Sequence, residues 1–101
     1  MKYGSTIKLI RENDGRYTTS QMAEKINVSR SYLSRIENNR VLPSIDILES
    51  ISKLFGTSLP FLTFFAMSEE DVSESKRDLF KAFKPVLTEI ALALMSDGES
   101  N

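Results

Sequence analysis

Residues 18–39, TTSQMAEKINVSRSYLSRIENN, constrain this chain more than any other stretch, because they spell two short helices joined by a tight turn. Thr18 and Gln21 stand three apart, the spacing of a capping box in which each side chain satisfies a free backbone N–H of the first helical turn. Met22, Ala23 and Ile26 then share one face. Ala23 is small where a second helix must cross closely, and Asn27 follows as a residue type that tolerates the left-handed backbone such a corner needs. Val28 can plug the corner, and Ser29 is a good N-cap for a helix from Arg30 to about Asn38.

At about 100° per residue, Tyr32, Leu33 and Ile36 cover one arc of this second helix, while Arg30, Ser31, Ser34, Arg35 and Asn38 cover the opposite one. One face is apolar and the other is a hydrogen-bonding strip. A major groove asks for such a strip, and the planar fork of Arg matches the O6 and N7 acceptors of guanine. The spacing therefore marks Arg30 and Arg35 as candidate base readers. On an isolated amphipathic helix the same residues would read as a solvated face; the capped helix, Asn turn and Val28 before them shift the reading to DNA.

With these fragments in order, the chain resembles the Cro and phage-repressor-like (XRE) helix-turn-helix proteins over about residues 4–62. GSTIKLIREN is similar to that family's first helix, TTSQMAEKINVSRSYLSRIENN to its helix-turn-helix, and PSIDILESISKLFGTSL to its fourth helix and the entry to its fifth. The resemblance implies that Arg30, Ser31, Ser34 and Arg35 meet bases, that Thr19, Asn38 and Arg40 touch flanking phosphates, and that Arg11 pairs with Glu37 to brace the recognition helix. The chain departs from the pattern in a longer segment between Arg11 and Thr18, in Thr19 where Gln is common, in Asn27 and Asn39 where Gly is common, and in Leu42 before Pro43.

The rest of the chain reads as all-α, a five-helix repressor-like domain with an additional C-terminal helix or helix pair. A first helix spans about Gly4–Asn13, buries Ile7 and Ile10, and ends at Asn13-Asp14-Gly15. A fourth starts near Ser44, carries Ile45, Leu48, Ile51 and Leu54, and stops at Gly56. Ser58 can cap a fifth, with Pro60 in its first turn, where a missing N–H costs nothing. Phe61, Leu62, Phe64, Phe65 and Met67 form the most apolar patch. Ser68 with Glu69, Glu70 and Asp71 opens an acidic capped turn, and a tail helix is expected over Ser73–Met95. In it Phe80, Phe83, Leu87, Ile90 and Leu94 alternate at three and four residues, the seam of two heptads and a candidate dimerisation stripe. Pro85 either kinks this helix or starts a new one. The expected organisation is a DNA-binding domain over 1–67, a helical extension over 68–96 and a disordered tail over 97–101.

Composition excludes several functions. The chain of 101 residues has no Cys, His or Trp, so disulfides, thiol chemistry and a His or Cys metal site are ruled out. The Ser clusters lack the base and acyl-binding site that a nucleophile needs, so no catalytic residue, cofactor or metal is expected. The longest apolar run, residues 59–67, is far short of a membrane span, and the start is unlike a signal peptide, which points to the cytoplasm. The net charge of −1 hides a division: residues 1–42 hold eight Lys or Arg against four Asp or Glu, and the remainder five against ten. The basic half contains the two-helix stretch; the acidic half should face away from phosphate or toward a protein partner. Together these readings point to a homodimeric regulator bound to double-stranded DNA at a near-palindrome, most often a repressor. The competing reading is a protein-interaction module, an antitoxin or co-regulator, that uses the tail and the Phe61–Met67 patch.

Overall fold

The computed structural model describes residues 1–95. It contains six α-helices and, among the described residues, no strand: α1 (Tyr3–Asp14), α2 (Thr19–Lys25), α3 (Arg30–Glu37), α4 (Ile45–Leu54), α5 (Leu59–Ala66) and α6 (Arg77–Met95). Helix starts follow side-chain chemistry. Thr18, Ser29, Ser44 and Ser58 each accept a backbone N–H from the third residue onward, which caps α2 to α5 in turn. At Thr18 the box closes, with the Gln21 amide oxygen accepting the Thr18 N–H at 2.9 Å.

The stops of α1 to α4 are left-handed residues. Gly15 ends α1 at φ 78° with its N–H bonded to the Arg11 carbonyl, and Gly56 follows α4 at φ 69°. Asn27 and Asn39 take φ 61° and 60°, the conformation in which the residue type expected from the resemblance would be Gly. Asn39 gains a partner by it, donating from Nδ2 to the Ser5 hydroxyl at 2.9 Å.

Ile7, Ile10, Met22, Ala23, Leu33, Ile36, Leu48, Ile51, Leu62 and Phe65 form one buried cluster, to which Ala91 and Met95 of the tail also belong. The tail therefore shares the core of the first five helices. α1 packs on α3 and α5, and α6 packs on both α1 and α5. Gly4 makes the first of these crossings possible, because a methyl group there would collide with the Ile36 carbonyl at the end of α3.

The acidic turn expected at Ser68 is present as a 3₁₀ turn, Glu69–Asp71, with the Asp71 carboxylate accepting the Ser68 N–H at 2.8 Å. Beyond it the chain departs from the expected tail helix. Val72 and Ser73 are extended, a second 3₁₀ turn covers Glu74–Lys76, and α6 begins only at Arg77. From there α6 runs unbroken through Pro85, so the tail is one helix and not a pair. Lys84 fastens it: the ammonium donates to the Met67 carbonyl at 3.0 Å and to the Phe65 carbonyl, closing the C-terminal end of α5, and sits 5.3 Å from the centre of the Phe65 ring. Burial pushes the Lys84 pKa below its ordinary value.

The stripe expected to form one seam is unevenly buried. Phe80 and Leu87 are half-buried, whereas Phe83, Ile90 and Leu94 are exposed. The tail expected over 97–101 lies outside the described residues.

Candidate nucleic-acid interface

Helix α3 is held from below by its apolar arc. Leu33 and Ile36 are fully buried and Tyr32 packs against the core, which leaves Arg30, Ser31, Arg35 and Asn38 exposed and Ser34 half-buried. The α2–α3 corner is tight, the Val28 N–H bonding to the Ala23 carbonyl at 2.9 Å. This closure sets the angle at which α3 presents its strip.

The candidate readers differ in how they are held. Arg35 lies over the Tyr32 ring with its guanidinium carbon 5.6 Å from the ring centre, a contact that steadies the side chain while leaving its in-plane N–H groups free for acceptors. Asn38 folds back on α3, donating from Nδ2 to the Ser34 carbonyl at 2.8 Å and toward the Ser34 hydroxyl at 3.4 Å. Arg30 and Ser31 make no side-chain bond among the described residues and stand in the first turn of α3.

The flanking residues are placed on neighbouring elements. Thr19 opens α2 and is half-buried; Arg40 is exposed just after α3, its N–H returning to the Arg35 carbonyl at 2.8 Å. No bond joins either side chain to the α3 strip.

Behind α3, Arg11 and Glu37 form a two-pronged pair, Nε to Oε2 at 2.8 Å and Nη2 to Oε1 at 3.0 Å. Glu37 is buried, so its charge depends on this partner. The hydrogen bond to Glu37 raises the pKa of Arg11 above its ordinary value. With its fork occupied, Arg11 acts as a brace between α1 and the end of α3.

Sequence reasoning missed two supports of this surface. Tyr32 beneath Arg35 was available from their three-residue spacing on a helix. Gly4 gave no local signal, since its need arises from the crossing of α1 and α3. No group of acidic residues among those described could hold a metal ion.

A model of the family described as helix-turn-helix matches residues 7–62, more than half of the chain. The chain belongs to the helix-turn-helix family. That match runs from within α1 to the middle of α5, as the resemblance to Cro and phage-repressor-like proteins implied. Membership also places the chain outside the enzymes. Among curated proteins it is similar to the immunity repressor protein of Bacillus phage phi105, 45% identical over 56 residues that make up 55% of this chain and 38% of the relative. It is 40% identical over 72 residues to the transcriptional regulator SinR of Bacillus licheniformis, covering 70% of this chain and 60% of the relative. The likeness to the transcriptional regulator ImmR of Bacillus subtilis is lower, 30% over 105 aligned positions, and takes in 98% of this chain and 79% of the relative. The chain thus spans less than two thirds of the length of the first two relatives. No solved structure matches it.

Proposed function

We propose that the chain is a cytoplasmic, sequence-specific DNA-binding regulator that acts as a homodimer on a near-palindromic operator and represses by occupying it. The observation that carries this reading is the setting of α3. A capped helix and a tight Asn27 corner hold it on Leu33 and Ile36, and Arg30, Ser31 and Arg35 project into solvent from the opposite face. Arg30, Ser31, Ser34 and Arg35 read base edges; Thr19, Asn38 and Arg40 bind the phosphates on either side of the groove.

Charge supports this orientation, since the basic half of the chain, residues 1–42, contains the whole two-helix unit. The relatives named as repressors and transcriptional regulators support the assignment to gene control. Two copies at successive major grooves, about 34 Å apart, read two half-sites.

The test is a duplex-binding titration repeated across salt. Each phosphate neutralised by a Lys or Arg adds about 0.9 to the steepness of log affinity against log salt, so a slope well above one in magnitude is expected. A flat, salt-insensitive titration, with the protein recovered in complex with another protein, favours the interaction-module reading instead.

A further inference from the structure

The tail helix carries more apolar surface than its own domain uses. At about 100° per residue, Leu79, Phe83, Val86, Ile90 and Leu94 fall within roughly 80° of the α6 circumference. All five are between 51% and 71% exposed. Ala91 and Met95 lie in the core, Leu92 packs against it and Lys84 bonds to the end of α5, all on the other side of α6, so the outward band is not a loosely docked core face.

The exposed fractions leave roughly 500 Å² of apolar surface in that band, at the upper end of what a monomer shows. Doubled across a two-fold axis, with Ala82 and Ala93 at its margin, it reaches about the 1,200 Å² at which stable protein interfaces begin. The shape of the band also suits a copy of itself. At its C-terminal end a groove of about 390 Å³ opens beside α6, lined by Gly56, Thr57, Ser58, Phe61, Leu94 and Met95. At its other end, about 22 Å away along the helix, Leu79 stands out as a knob, 58% exposed.

We infer that α6 pairs antiparallel with α6 of a second copy through this band, Leu79 of each subunit lying against Leu94 and the Phe61 groove of the other, with Phe83 opposite Ile90 and Val86 at the two-fold. A two-fold contact requires that whatever residue i touches, the reciprocal contact also forms, and only the antiparallel register brings knob to groove twice. A parallel pairing sets groove against groove and leaves both unfilled. The apolar spacing agrees, because Leu79, Phe83, Ile90 and Leu94 map onto one another when the helix is reversed about its middle. This inference rests on the homodimer reading above and names the surface that makes the dimer.

The chain has no cysteine, so the register can be read by cross-linking. Leu79→Cys and Leu94→Cys are each made in the full chain, at positions exposed enough to leave the helical circular dichroism unchanged. They are oxidised separately and as an equal mixture. The expected result is a reducible band at twice the 11.4 kDa chain mass in the mixture and its loss in either variant alone. Cross-linking within a single variant overturns the register, because it places identical ends together. No cross-link in any sample, whether sedimentation of the unaltered chain gives a dimer or a monomer, overturns the surface. Duplex binding is measured on the same unaltered chain. Half-site binding without a dimer sinks this inference and the homodimer reading while leaving DNA binding standing, whereas a cross-linked dimer that ignores duplex DNA sinks only the DNA reading.

Discussion

Arg35 and Arg40 are five residues apart and expected to do different work, because one stands on the exposed face of α3 and the other follows its end. A base reader contributes to discrimination and a phosphate contact to affinity for every sequence. Arg35→Ala and Arg30→Ala are therefore expected to cost about 1–3 kcal/mol on the best site and much less on a site changed at the matching base pair, while Arg40→Ala weakens all sites about equally. Binding isotherms on a panel of single-base variants check this, and a uniform loss from Arg35→Ala would remove it from the readers. The Arg11–Glu37 pair makes a second prediction. Arg11→Ala strands the buried Glu37 carboxylate and should destabilise the fold by about 3–5 kcal/mol in urea unfolding, with Arg11→Met plus Glu37→Leu recovering most of the loss. The residues whose settings were legible in the sequence are those governed by near neighbours. Thr18, Gln21, Ser29 and Asn27 act within three positions of themselves, and the structure finds each in the conformation or bond expected. The Asn38–Ser34 clasp was not legible, because a solvent-facing Asn has many equivalent rotamers and helical spacing alone selects none.

At the scale of elements, two helices make opposed predictions. Gly4→Ala should raise intrinsic helix propensity in α1 and nevertheless lower stability, by about 1–3 kcal/mol, because the added methyl meets the Ile36 carbonyl and forces α1 off α3. Pro85→Ala should do the reverse. Pro85 lies exposed inside α6 and supplies no N–H, so replacing it should stabilise the chain by about 1–3 kcal/mol in the same unfolding assay. If Pro85→Ala destabilises instead, the proline sets a bend that the packing of α6 requires. These two sites also show where sequence reading runs out. Caps fixed the starts of α2 to α5, and left-handed stops the ends of α2 to α4, within a residue or two, since each acts on a single turn. The start of α6 and the fate of Pro85 depend on what the tail packs against. The periodicity of the tail was visible, but not its burial: Phe80 and Leu87 are half-buried, and Leu79 and Val86, outside the expected stripe, are exposed beside Phe83, Ile90 and Leu94.

For the whole molecule, the charge division and the double-faced tail describe one arrangement. The basic half carries α3, the proposed reading helix, and the acidic half carries both the tail's packing face and its exposed apolar band. A single helix-turn-helix reaches only a few base pairs, so useful specificity requires two of them held at fixed spacing. In the proposed homodimer, the pairing of the two copies determines the length and symmetry of the sequence that is read. Ile90→Asp with Phe83→Asp, both on the exposed band, should leave a folded helical chain by circular dichroism that sediments as a monomer and no longer prefers full palindromes to half-sites. The most direct measurement of the central claim is selection of bound fragments from a random duplex pool by the unaltered chain. Two inverted half-sites, centred about one helical turn or 34 Å apart and shifting in base preference with Arg35→Ala, are the expected result. A pool that returns no common sequence, or one whose consensus is untouched by changes at Arg30 and Arg35, would contradict it.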